Sequence, residues 1–129
     1  MEDSKKLIKF SEHIEKIHLL CHKTVNRAVN TIAEYPDRFE LLTKFTKELI
    51  VLEKLCEYLS NLCYNSGKIS KYAYREYNYK CDEINKICKE MINLFHKEKD
   101  VCEYLRCFEL ESLLSAKKRK KKTKKRYSM

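Results

Sequence analysis

The chain has 129 residues, with 28 Lys and Arg against 19 Asp and Glu, a net charge of +9, and a single Gly and a single Pro. That length supports one hydrophobic core and not two independent ones, and the scarcity of Gly and Pro excludes a turn-dense all-β fold or a Gly-rich linker. Nine of the basic residues fall in the last thirteen positions, so residues 1–116 carry 19 basic against 19 acidic residues and are electrically balanced.

The start of the chain, MEDSKKLIKF, is charged and leads into an amphipathic pattern, without the continuous apolar run of a signal peptide or a membrane span. The expectation is a cytoplasmic protein with no membrane partner. In that compartment the seven cysteines are expected as reduced thiols, without a disulfide framework.

Apolar residues at Leu7, Phe10, Ile14, Ile17, Cys21, Val25, Ala28 and Ile32 recur every three or four positions and predict a first helix over about 4–34. Pro36 cannot continue that helix but suits the first turn of the next, where Asp37 complements the dipole. A second helix over about 37–64 follows from Leu42, Phe45, Leu49, Leu52, Cys56, Leu59 and Cys63, flanked by Leu41, Leu55 and Leu62. Asn65-Ser66-Gly67 reads as a stop with Gly67 left-handed, and Ser70 as the cap of a third helix over about 71–97. That helix carries Tyr74, Tyr77, Cys81, Ile84, Cys88, Met91 and Phe95, widened by Ile87 and Ile92. A fourth helix over about 100–116 is capped by Asp100 and places Val101, Leu105, Phe108, Leu110, Leu113 and Leu114 on its apolar stripe. Short connections between four helices predict an all-α, antiparallel up-down-up-down four-helix bundle, followed by a disordered basic tail over 117–129.

The corner Leu59-Ser60-Asn61-Leu62-Cys63-Tyr64-Asn65-Ser66-Gly67-Lys68-Ile69-Ser70, then Tyr74 and Asp82-Glu83-Ile84-Asn85-Lys86-Ile87, resembles a bacterial family of four-helix bundles. That family includes the accessory variability protein of diversity-generating retroelements and the bundle proteins encoded in ribosomal RNA intervening sequences. The register fits over about 49–93, through a Gly-x-Ile-Ser turn, a Tyr four residues after the Ser, and an acidic-Ile step further on. This chain departs from the family in lacking a short first helix with a Phe-Pro turn, in carrying Asn85 where a small residue is usual, and in gathering its basic charge in a tail. An extra segment at 100–116 is expected to fill the fourth position of the bundle. The resemblance implies a homo-oligomeric accessory protein that binds nucleic acid, with RNA rather than DNA the expected partner, and assists a reverse transcriptase, without catalysis of its own.

The tail, with Lys117, Lys118, Arg119, Lys120, Lys121, Lys122, Lys124, Lys125 and Arg126, is the expected nucleic-acid-binding site. Like charges at this density repel one another, and their partner is a polyanion whose released counterions drive binding. No base-reading constellation accompanies them, so contacts to phosphate are expected. The same composition also serves as a localisation or charge-anchor signal on an oligomeric adaptor, the alternative reading.

Other motifs have plainer readings. His18, Cys21 and His22 share a helical face, but the cysteines lie in apolar seams without CxxC spacing, so neither a metal nor another cofactor is expected. Tyr72, Tyr74, Tyr77 and Tyr79 alternate with Lys71, Arg75 and Lys80; helical geometry turns Tyr74 and Tyr77 inward and leaves Tyr72 and Tyr79 outside. Glu53 and Glu57 read as solvated surface carboxylates. No phosphate loop, nucleophile elbow or HExxH motif occurs, which places the chain outside the enzyme classes those motifs mark.

Overall fold

The computed structural model describes residues 2–115. Every regular element among them is helical, with no strand. Helix α1 spans Glu2–Glu34, a 3-10 turn Pro36–Arg38, α2 Phe39–Asn65, α3 Lys71–Leu94, α4 Lys99–Tyr104, and α5 residues 107–115.

Pairs of side chains fix how neighbouring helices run. His18 and His22 of α1 meet Glu57 and Glu53 of α2 in reverse order, so these two are antiparallel. Phe10 of α1 meets Tyr74 and Tyr77 of α3, each with ring centroids 5.5 Å apart, and Tyr35 meets Phe95 just past the ends of the two helices at 5.4 Å, so the contacts run in the same order along both. The last segment runs back along α3, with the Cys102 thiol 3.7 Å from the Met91 carbonyl and the Ser115 hydroxyl donating to Asn85 Oδ1 at 3.2 Å.

The interior is the one that the spacing predicts for α2 and α3. Leu42, Phe45, Leu49, Leu52, Cys56 and Leu59 are fully buried, as are Ile84, Cys88, Met91 and Phe95, while Tyr74 and Cys63 are half-buried. On α1 the buried stripe is Ile14, Ile17, Leu20, Cys21 and Ala28, and it also takes in Thr24 and Thr31. The Thr31 hydroxyl donates to the Arg27 carbonyl at 2.8 Å, the backbone partner that lets a polar side chain sit inside a helical core.

At the α2–α3 corner, Gly67 takes φ +66, and the Ser70 hydroxyl accepts from the Ala73 amide at 3.1 Å. Both are the roles expected of them. Two details nearby differ from expectation. Helix α3 ends at Leu94 and not near 97, where Phe95 leaves helical geometry with its ring against Tyr35 and under the Arg38 guanidinium. Glu98, and not Asp100, is the residue before α4, and it makes no side-chain cap.

The expected continuous fourth helix is broken. Leu105 and Arg106 form a turn, with Arg106 at φ +57, and the phase of the helix resets across it. Cys102, Leu105, Cys107, Leu110 and Leu114 point into the core as a result, and Phe108, expected on the apolar stripe, is 47 % exposed. A straight helix cannot bury both Leu105 and Cys107, since residues two apart lie on different faces.

Candidate nucleic-acid interface

The nine basic residues expected to bind nucleic acid, Lys117, Lys118, Arg119, Lys120, Lys121, Lys122, Lys124, Lys125 and Arg126, lie outside the described residues. What the structure places is their point of attachment. Helix α5 runs antiparallel to α3, and its last described residue, Ser115, is held beside Asn85. Helix α5 therefore points along α3 toward the end of the molecule where α2 turns into α3.

The aromatic-basic strip divides as helical geometry requires. Tyr77 is buried, and its hydroxyl is pushed upward in pKa chiefly by that burial. Tyr74 packs on Phe10, while Tyr72 and Tyr79 are exposed. Hydrogen bonding to Glu76 and Glu83, respectively, raises the Tyr72 and Tyr79 phenols. Lys80 is not available to a ligand. Its ammonium donates to Glu48 at 2.6 Å and to Glu83 at 3.4 Å, tying α3 to α2. Lys71 and Arg75 remain exposed.

Two further tyrosines, Tyr58 and Tyr64 of α2, are exposed and are not evident as surface groups from an aromatic-basic pattern. The signal that finds them is their position on the polar side of the α2 stripe, away from Leu52, Cys56 and Leu59.

His18, Cys21 and His22 do not converge. The Cys21 thiol is fully buried, with its pKa raised first by desolvation, and the two imidazoles turn instead to α2. The His22 Nδ1–H donates to Glu53 at 2.8 Å and the His18 Nε2–H to Glu57 at 3.3 Å. Glu53 and Glu57 are thus interhelical acceptors and not simply solvated carboxylates. Among the described residues no group of three or more His, Cys, Asp or Glu is placed to hold a metal ion. Beside these pairs a groove of about 500 Å³ lies between α1 and α2, floored by Ile14 and Cys56 and rimmed by His18, Glu57 and Asn61.

Burial also raises the thiols of Cys56, Cys107 and Cys88, the last to about 12, which disfavours the thiolate that a cysteine nucleophile requires. No described helix is long and apolar enough to cross a membrane. No protein-family model, curated protein or solved structure matches the chain.

Proposed function

We propose that this protein is a non-catalytic nucleic-acid-binding accessory protein, in which an up-down-up-down helical bundle carries a polybasic tail that engages phosphates. The observation that carries the reading is the segregation of charge: nine basic residues stand together in positions 117–126, next to a body whose 19 basic and 19 acidic residues cancel. A neutral body gives no general attraction to polyanions, so the tail supplies the long-range pull and the salt-dependent affinity. The reversed order of the α1–α2 and α3–α5 side-chain pairs supports the bundle topology.

RNA is the favoured nucleic acid and a reverse transcriptase the favoured protein partner, on the resemblance of the Leu59–Ser70 corner to retroelement accessory proteins. The same resemblance supports a homo-oligomer. The chemistry then belongs to the polymerase, and this chain contributes binding.

The test is a salt series of binding to single-stranded RNA and to duplex DNA, for the full chain and for residues 1–116. Neutralising nine phosphates on a single strand gives a log–log slope of about −6, and removing the tail abolishes most of it. Unchanged binding after truncation overturns the tail as the site. Absence of binding by either form favours an oligomeric adaptor whose tail is a localisation or charge-anchor signal.

A further inference from the structure

Residues 58–75 contain no Asp or Glu, yet they carry Lys68, Lys71 and Arg75 together with four tyrosines. In a body whose charges cancel only as a whole, an acid-free run of this length at a corner gives a locally positive stretch. The fold keeps that stretch outside. Lys68, Lys71 and Arg75 are exposed, as are Tyr58 (54 %), Tyr64 (89 %) and Tyr72 (72 %), and only Tyr74 turns in, onto Phe10.

Along the chain Tyr64 and Tyr72 lie three and five residues from Gly67, and Tyr58 lies about two turns before the end of α2. Tyr58 and Tyr64 make no hydrogen bond or ring contact with other described residues, and burying them is not needed for the core. Glu57 and Glu76 border the run, and Glu57 is turned to His18 of α1. Exposed aromatic rings among uncompensated lysines and arginine are the chemistry that holds unpaired bases, the rings stacking and the cations meeting phosphate.

We infer that the α2–α3 corner is a second nucleic-acid contact, which stacks unpaired bases of a single strand on Tyr58, Tyr64 and Tyr72. The inference rests on the tail engaging phosphates, and it adds what the tail cannot supply. Phosphates are common to duplexes and single strands, so a polycation alone discriminates weakly; a stacking surface takes only bases that are not already paired.

The geometry of attachment favours joint action. Ser115 sits beside Asn85, and Asn85 lies 14 residues along α3 from Lys71, about 21 Å of helix. Fourteen residues follow Ser115 in the sequence, and about six or seven of them, extended, cover that distance. A strand held by the tail therefore has its neighbouring nucleotides within reach of the corner.

The experiment uses the full chain, with a labelled single-stranded RNA of about twenty nucleotides and a duplex of the same sequence as probes. Tyr64→Ala combined with Tyr72→Ala is expected to weaken single-strand binding about tenfold or more while leaving duplex binding unchanged. Tyr79→Ala, an exposed ring farther along α3 beside Glu83, is the control and leaves both unchanged. Lys68→Gln with Lys71→Gln lowers the single-strand salt slope by about 1.4. Circular dichroism confirms that each variant retains its helix content.

Equal losses on both probes, or no loss on either, overturn the corner as a base-stacking surface. So does a change in oligomeric state with unchanged RNA affinity, since the rings would then serve a protein contact. A full chain whose tail lysines and arginines are replaced by glutamine separates the two ideas. If that variant loses binding while the tyrosine variants do not, the corner fails and the tail stands. If it retains binding and its salt slope, the tail reading itself fails.

Discussion

Arg38 and Glu98, 60 positions apart, form a two-point ion pair: Arg38 Nη1 donates to Glu98 Oε2 at 2.6 Å, and Nη2 to Oε1 at 3.2 Å. The guanidinium also lies 4.5 Å from the centroid of the Phe95 ring and 5.3 Å from that of Tyr35. One side chain therefore clamps the α1–α2 turn to the start of α4, and two planar hydrogen bonds define its orientation. Neither turn has a side-chain helix cap of its own, so the pair does locally what capping does elsewhere.

The clamp is sensitive to pH in a defined direction. The hydrogen bond from Arg38 holds the Glu98 carboxyl below the usual carboxylate range and raises the Arg38 guanidinium in turn. A carboxyl depressed in the folded state contributes stability that is present above its unfolded pKa of about 4.3 and is lost as pH falls through the folded value. Glu98→Gln is expected to lower the melting temperature at neutral pH. The gap from the unsubstituted protein should close in thermal melts as pH drops below about 4. A gap independent of pH would sink the assignment.

The break at Leu105–Arg106 gives opposite expectations for residues that the sequence pattern treats alike. Leu105→Ala and Leu110→Ala each remove a fully buried side chain and should cost about 2–5 kcal/mol in urea denaturation. Phe108→Ala should cost about 0.5 kcal/mol or less, because the ring already faces solvent. A large loss for Phe108 would mean that the helix runs straight through.

The corner between α2 and α3 offers two substitutions with different causes. Ser70→Ala removes the cap on the Ala73 amide and is expected to cost about 1 kcal/mol. Gly67→Ala is expected to cost a similar amount, about 1 kcal/mol, although an added Cβ meets nothing within 4 Å. Its cost is that of a left-handed backbone and not of a clash, so Gly67→Asn should be milder. Equilibrium unfolding of the three variants distinguishes the causes.

Thiol labelling tests the core directly. All seven cysteines are free; six are buried and Cys63 is half-buried, which predicts one thiol reacting readily with a disulfide reagent in the folded protein. All seven should react in denaturant. Fast labelling of several thiols under native conditions would contradict the packing around Cys21, Cys56 and Cys88.

Thr24 is fully buried and its hydroxyl has no hydrogen-bond partner, unlike those of Thr31 and Thr46, which donate to carbonyls one turn back. Replacing it with a residue of the same shape removes the desolvation cost of that group. Thr24→Val is expected to raise stability by about 1 kcal/mol, measured by urea denaturation.

Periodicity alone made much of this architecture legible. Repeats of three and four residues mark which side of α2 and α3 is inside, because a helix of 3.6 residues per turn buries one stripe whatever its neighbours are. Gly67 and Ser70 were equally readable, since the left-handed turn and the cap depend on local backbone chemistry. The charge division between body and tail needed no structure at all.

The relations between distant residues come from the assembled fold alone. Arg38 with Glu98, the histidines of α1 with Glu53 and Glu57, and Lys80 with Glu48 depend on which helices are neighbours and in what register. The exposure of Phe108 depends on a break that no local signal announces, since Arg106 adopts a positive φ without being glycine. Packing against α3 fixes which of Cys107 and Phe108 enters the core, and the backbone bends to fit. Sequence spacing determines the face a residue occupies on its own helix; only the assembled helices determine what that face meets.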